Sequence, residues 1–181
     1  MSQKMIVELA FDDEFVPQIE SGDKSITFRR TQHGTDGDAF KCGNKYYVIT
    51  RSYHVELPDF IVDNYKRDGF EHISDAYYWF ARHYNGIDVY GIQAMHGYAH
   101  EFISMDKIDM STLVSILQDK GWYVSPIQHD ENYTMLRNHG SYVIVPKYNS
   151  SAYADEVSEV IKFCAAMLGY SCASLVWYCL R

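Results

Sequence analysis

Ser21-Gly22-Asp23-Lys24-Ser25-Ile26-Thr27-Phe28-Arg29 decides how the first half of this chain folds. Ser21-Gly22-Asp23 reads as the end of a helix, because glycine is the usual residue just past a helix terminus. From Lys24 to Arg29, β-formers alternate with polar residues, the pattern of a strand. Upstream, Asp12 or Asp13 can cap a short helix whose Phe15 and Ile19 share one face. Residues 5–11, further upstream, read as an apolar strand. Downstream, Gly34-Thr35-Asp36-Gly37-Asp38 is a loop of turn formers and Gly43-Asn44 a hairpin turn. Tyr46 to Val55 is then a long strand of β-branched and aromatic residues.

A helix follows Leu57-Pro58, where proline suits the first turn, and Asp68-Gly69-Phe70 breaks it. Ser74 is expected to cap a helix over 75–84 that Asn85-Gly86 closes. Residues 87–103 read as a strand, a turn centred on Gly97, and a second strand. The order β-α-β-β-α-α-β-β predicts a small sheet able to curl into a barrel. A second segment, joined near residues 104–111, reads α-β-β-β-α-β. It comprises a helix over 112–120 capped by Ser111, a strand over 122–124, and a hairpin around Asn138-His139-Gly140-Ser141. A helix follows with Val157, Val160, Ile161, Cys164 and Leu168 at helical spacing and Gly169 at its end. The last element expected is a strand over 173–180. The class is therefore α+β, with two domains over residues 1–103 and 104–181.

Composition narrows the functions open to the chain. Its 181 residues are 47% apolar and 22% charged, which excludes a disordered chain. A net charge of −8 excludes a polycation that coats nucleic acid, and argues against extended duplex DNA as a partner. Within that acidic background, residues 24–51 hold Lys24, Arg29, Arg30, Lys41, Lys45 and Arg51 against only Asp36 and Asp38. These cations either guard strand edges or line a cleft for a phosphate or nucleic-acid backbone. Three of the 16 Tyr (Tyr46, Tyr47 and Tyr53) are interleaved with them, a mixture that suits stacking of unpaired bases.

No apolar run approaches the roughly 18–20 residues of a membrane span, and Glu8 comes too early for a signal-peptide core. Cys42, Cys164, Cys172 and Cys179 form no C-x-x-C pair, so a reduced, cytoplasmic protein without disulfides is expected. His96 and His100 are four apart, but no third ligand lies at motif spacing, and neither a metal nor another cofactor is expected.

The stretch from Ser21 to Arg29 resembles the ASCH family, small RNA-associated domains of the PUA-like β-barrel superfamily. The family pattern is a short helix with a spaced aromatic and Ile, then Gly-x-Lys-(Thr/Ser)-x-Thr-x-Arg, a Gly-Asp pair, a strand rich in Tyr, Ile and Thr, and an acid-Gly-Phe step before a helix. Here those elements are Phe15 and Ile19, Lys24 to Arg29, Gly37-Asp38, Tyr46 to Val55, and Asp68-Gly69-Phe70; Trp79 and Tyr84 stand where the family often has aromatics. The resemblance covers about residues 5–103 and implies a PUA-like small β-barrel with flanking helices. It implies RNA or a modified nucleoside as partner, and the charge and Tyr pattern of residues 24–51 adds the expectation of a basic, Tyr-lined groove in which Arg29, Arg30, Lys45, Tyr46 and Arg51 join Lys24 and Thr27 as contacts.

Some family members are amidohydrolases that deacetylate N4-acetylcytidine with a Lys base, a Thr nucleophile three residues on, and a distant Glu as proton donor. Carried over, the Lys is Lys24 and the Thr is Thr27. The acid is Asp68, one methylene shorter than Glu, with Glu71 the alternative. The chemistry is sensible, since a Thr hydroxyl needs an adjacent base and a neighbouring cation such as Arg29 lowers a lysine's pKa. Residues 104–181 lie outside the resemblance and offer a surface for a protein partner, which makes an interaction adaptor a third expectation.

Overall fold

The computed structural model describes residues 6–84, 88–126, 130–148 and 153–180. Asp13–Phe15 form one 3-10 turn that leads into α1 (Val16–Ser21), with Pro17 in its first turn. Gly22, at φ +90°, closes α1 in the left-handed conformation that glycine adopts without strain. The N–H of Lys24 then donates to the Gln18 carbonyl (3.0 Å), which holds Lys24 at a bend before β1 (Ile26–Arg29).

β2 (Ala39–Cys42) and β3 (Lys45–Glu56) form a hairpin around Gly43, and β4 (His96–Ser104) pairs with both β3 and β1. The sheet order is β1-β4-β3-β2, antiparallel throughout. Register shifts between Ile49 and Arg51, so Thr50 is an extra residue that bends β3. The result is a curled four-strand antiparallel half-barrel. Phe15, Ile19, Phe40, Tyr47, Ile49 and Phe102 cluster on one side of it. On the other side pack α2 (Leu57–Asn64), α3 (Ile73–His83) and α4 (Val89–Gln93), where Phe28, Leu57, Phe60, Phe80 and Ile92 form a second cluster.

The chain continues through α5 (Met110–Asp119), β5 (Tyr123–Val124), β6 (Tyr133–Asn138), β7 (Ser141–Pro146), α6 (Ala154–Leu168) and α7 (Cys172–Tyr178). β5, β6 and β7 form a three-stranded antiparallel meander. His139 (φ 43°) and Gly140 (φ 86°) make the tight β6–β7 turn, in which both central residues need positive φ. Leu113, Leu136, Val145, Val157, Ile161 and Leu175 pack with Ala39 and Val48 of the half-barrel, so one apolar cluster is shared between the two sheets. The Ser158 hydroxyl donates to the Gly37 carbonyl (2.6 Å), and Lys162 is paired with Asp38 across the same junction. No single helix among the described residues is long and apolar enough to cross a membrane. All four cysteines are free, and burial pushes the Cys164 thiol up to about 12 and that of Cys179 up to about 11.

Several elements differ from the sequence reading, among them α5, which starts at Met110 under an Asp109 cap rather than at Thr112 under Ser111. Residues 6–12 are not a strand: Val7 N–H bonds to Ala39 (2.9 Å), while the carbonyls of Glu8 and Ala10 are engaged by the side chains of His33 and Arg29. The region before β4 holds α4, started by the Asp88 side chain accepting from Gly91 N–H (2.8 Å). Gly97 lies inside β4 rather than in a turn, and a Cβ there would meet the Arg29 carbonyl at 2.3 Å. The C-terminal run is α7, a helix. Ser171 caps it by accepting from Ser174 N–H, and Leu175, Val176 and Cys179 are buried on one side while Trp177 and Tyr178 face out. A short apolar run fits either period, and the cap decides. α3 begins at Ile73, with His72 rather than Ser74 at the cap position. The expected stop at Asn85-Gly86 lies outside the described residues.

Candidate ligand cavity at the start of the first strand

Lys24, Thr27, Arg29 and Asp68 line one cavity of about 260 Å³. Each arrives by a different local device. The helix-ending Gly22 sets Lys24 at the bend, and Ser25 is pinned next to it by donating to the Arg67 carbonyl (2.8 Å). Thr27 and Arg29 are two apart on β1 and so share a face. Asp68 sits in the turn after α2, its N–H bonded to Asn64 (2.8 Å). Gly69 follows at φ +96°, and a Cβ there would collide with Gln18 Oε1 at 2.1 Å. The positive φ is what favours glycine there, since the Gln18 side chain could move aside.

The polar groups are connected to one another. Lys24 Nζ is 3% exposed; it is paired with the Asp68 carboxylate and donates to the Asp68 main-chain carbonyl (2.6 Å). It also lies 4.5 Å from the centre of the Phe15 ring. Burial lowers the Lys24 pKa, opposed by Asp68 and assisted by Arg29. Burial likewise pushes the Asp68 carboxyl up to about 6, against the pull of Lys24 and Arg29. Both partners are thus moved toward each other in proton affinity. Arg29 donates to the Thr27 hydroxyl (3.0 Å) and the Phe28 carbonyl (3.1 Å), and a further bond reaches Ala10. Arg29 occupies one of the two lone pairs of the Thr27 hydroxyl, which keeps its own hydrogen to donate.

Aromatic rings make the rest of the wall. Phe11, Phe15, Phe70 and Trp79 line the cavity, with the Trp79 and His83 rings stacked at 4.3 Å. Trp79 is held by its indole N–H donating to Glu14 (3.1 Å). Behind Thr27, across the β1–β4 pairing, His100 is fully buried. Its Nε2 accepts from His33 N–H (3.1 Å), which leaves the ring neutral, and burial together with Arg29 and His33 lowers its pKa to about 4.

The other sequence-derived contacts lie elsewhere. Arg30 is exposed beyond the end of β1; Arg51 is exposed with its guanidinium 4.5 Å over the Tyr53 ring. Lys45 borders a separate cleft beside α7, and Tyr46 packs against the cluster shared by the two sheets. Glu71 is 87% exposed at the edge of α3, so the acid in the cavity is Asp68. The aromatic lining consists of Phe and Trp rather than the expected Tyr. Phe11 was hidden by reading 5–11 as a strand, and His100 by weighing it only as a metal ligand with His96. Those two histidines part company: His96 is exposed and bonds to His54 (3.1 Å). Among the described residues no three His, Cys, Asp or Glu side chains gather as a metal site.

The described residues define an α+β protein with a curled four-strand antiparallel half-barrel, a second three-strand sheet and seven α-helices. No protein-family model, curated protein or solved structure matches the chain.

Proposed function

We propose that this chain is a PUA-like domain of the ASCH type whose cavity holds one unpaired base of RNA or of a modified nucleoside. One observation carries the reading: four polar side chains from three separate elements converge in a small aromatic-walled cavity. Unpaired bases are held by stacking on aromatic rings and by hydrogen bonds to their edges, and the cavity offers both. Trp79, Phe15 and Phe70 supply faces. The Thr27 hydroxyl and the Arg29 guanidinium supply donors, and the Asp68 carboxylate can accept from an exocyclic amine. The acidic remainder of the chain limits binding to a short segment or a free nucleoside, since it repels further phosphates.

A second reading, amide hydrolysis, is favoured by the lowered Lys24 pKa beside Thr27. Thr27 Oγ would add to the acyl carbon of an N4-acylated cytidine while its proton passes to neutral Lys24. Asp68, protonated at its raised pKa, would give a proton to the departing amine, and water would then cleave the acyl-threonine ester. The ion pair with Asp68 works against this chemistry, because Lys24 must shed its proton before it can accept one.

Calorimetric titration with cytidine, N4-acetylcytidine and a short single-stranded RNA tests both readings. Binding that Arg29→Ala weakens supports the cavity as a base site. Release of cytidine from N4-acetylcytidine by the wild type but not by Thr27→Ala assigns hydrolysis. Absence of binding and of turnover with all three ligands would remove the proposal.

A further inference from the structure

β7 is an open edge of the three-stranded sheet, whose order is β5-β6-β7. Lys147 N–H donates to Asn132, and Met135 turns its carbonyl toward Ser125 on the β5 side. In the register Met135↔Ile144 and Arg137↔Tyr142, these are therefore the non-hydrogen-bonded pairs of the β6–β7 ladder. The backbone N–H and C=O of Tyr142 and Ile144 point away from β6, and among the described residues nothing pairs with them. The strand reads Ser-Tyr-Val-Ile-Val-Pro, with no charge, no bulge and proline only at its last position. Proteins ordinarily protect an open edge with such devices.

An open groove of about 920 Å³ runs beside this edge, walled by Tyr142 and Ile144 on one side and Val160 and Phe163 of α6 on the other. Tyr142 is 64% exposed and Phe163 48%. Nine of the thirteen exposed large hydrophobic residues described lie beyond residue 104, so apolar surface is concentrated in this half of the chain. The groove's carboxylates are Asp130, Glu156 and Glu159; its lining cation, Lys162, is turned to Asp38. An acidic groove repels nucleic acid and attracts a cationic peptide.

We infer that β7 takes up an extended segment of a partner protein as a fourth strand, with apolar residues against Ile144 and Phe163 and a basic residue toward Glu156. Main-chain bonds to Tyr142 and Ile144 would give affinity, and the groove's charge would select the sequence. This inference is independent of the base site.

The probe is a fluorescein-labelled peptide, Lys-Val-Lys-Val-Lys-Val-Lys, titrated with the full chain and read by anisotropy. Saturable binding is expected, weakened at least about tenfold by Glu156→Lys, since a charge reversal at a contact turns attraction into repulsion. Two versions of the peptide, N-methylated at alternate residues, discriminate further: one set of amides faces the edge, so one version should lose binding and the other keep it. Ile144→Pro removes an outward N–H without cutting the ladder to β6, and should abolish binding while the circular-dichroism spectrum is retained. No binding, or equal binding of both methylated peptides, overturns the inference. So does a concentration-dependent dimer that Ile144→Pro dissolves in the absence of peptide binding, because the edge would then belong to a second copy of this chain.

Discussion

Replacing His100 by Gln separates the fold's acid response from that of its other titrating groups. His100 is fully buried against β1, its Nε2 accepts the His33 N–H, and its pKa in the folded chain is about 4. The unfolded value is near the ordinary 6.5. A depressed pKa means that the unfolded chain binds the proton first. The stabilisation is fully present above pH 6.5 and is lost as pH falls toward 4. At pH 4.5 the unfolded histidine is almost wholly protonated and the folded one only in part, which costs the wild type about 2.5 kcal/mol relative to neutral pH. Gln keeps an acceptor for His33 and does not titrate. Urea unfolding of both proteins at pH 7.5 and 4.5 should show the wild type losing about 2.5 kcal/mol more than His100→Gln across that interval. A difference below about 0.5 kcal/mol, within ordinary extrapolation scatter, would show that this histidine is not held neutral by burial.

Lys24→Met should cost about 3 kcal/mol at pH 8, because it leaves the Asp68 carboxylate buried without its cation. The raised Asp68 pKa rises further in that variant, so the folded chain holds a proton that the unfolded chain releases. Stability is then kept at low pH and lost as pH rises through the folded value; the deficit should shrink between pH 8 and pH 5 in urea titrations, and a pH-independent deficit would contradict the pairing. Gly97→Ala should destabilise by about 2 kcal/mol, since its Cβ would lie 2.3 Å from the Arg29 carbonyl and 2.7 Å from the Phe28 ring. A melting temperature within a degree of wild type would refute that close approach.

Legibility in the sequence followed the strength of local signals. The β2–β3 and β6–β7 hairpins announce themselves through Gly43-Asn44 and His139-Gly140, whose Gly43, His139 and Gly140 take positive φ. α6 was equally plain, because its apolar spacing and closing Gly169 agree. The bend at Lys24 follows from the family resemblance together with parity, since Lys24 and Thr27 would face opposite sides of a regular strand and could not then serve one site. What failed was short and apolar. Residues 6–12 and the segment of α7 have compositions that fit strand or helix, and tertiary partners decided between them: the Arg29 and His33 side chains in one case, the Ser171 cap in the other. Of the site, Lys24, Thr27, Arg29 and Asp68 were legible as a motif. Arg30, Lys45, Tyr46 and Arg51 were drawn in by charge and sequence proximity, which do not specify the side of a curled sheet that a residue faces.

The pairing of β1 with β4 alone has a consequence for how the protein is made. Every cavity residue on β1 is held in place by a strand whose register runs from Tyr98 to Glu101, long after Thr27 in the chain. During synthesis the nascent chain therefore carries Thr27 and Arg29 on an unpaired strand, with Lys24 just before it, until the ribosome has released residues beyond β4. Non-local pairing of this kind forms late, and it exposes strand edges in the interim. A truncation before β4 would leave the motif intact in sequence and absent in space.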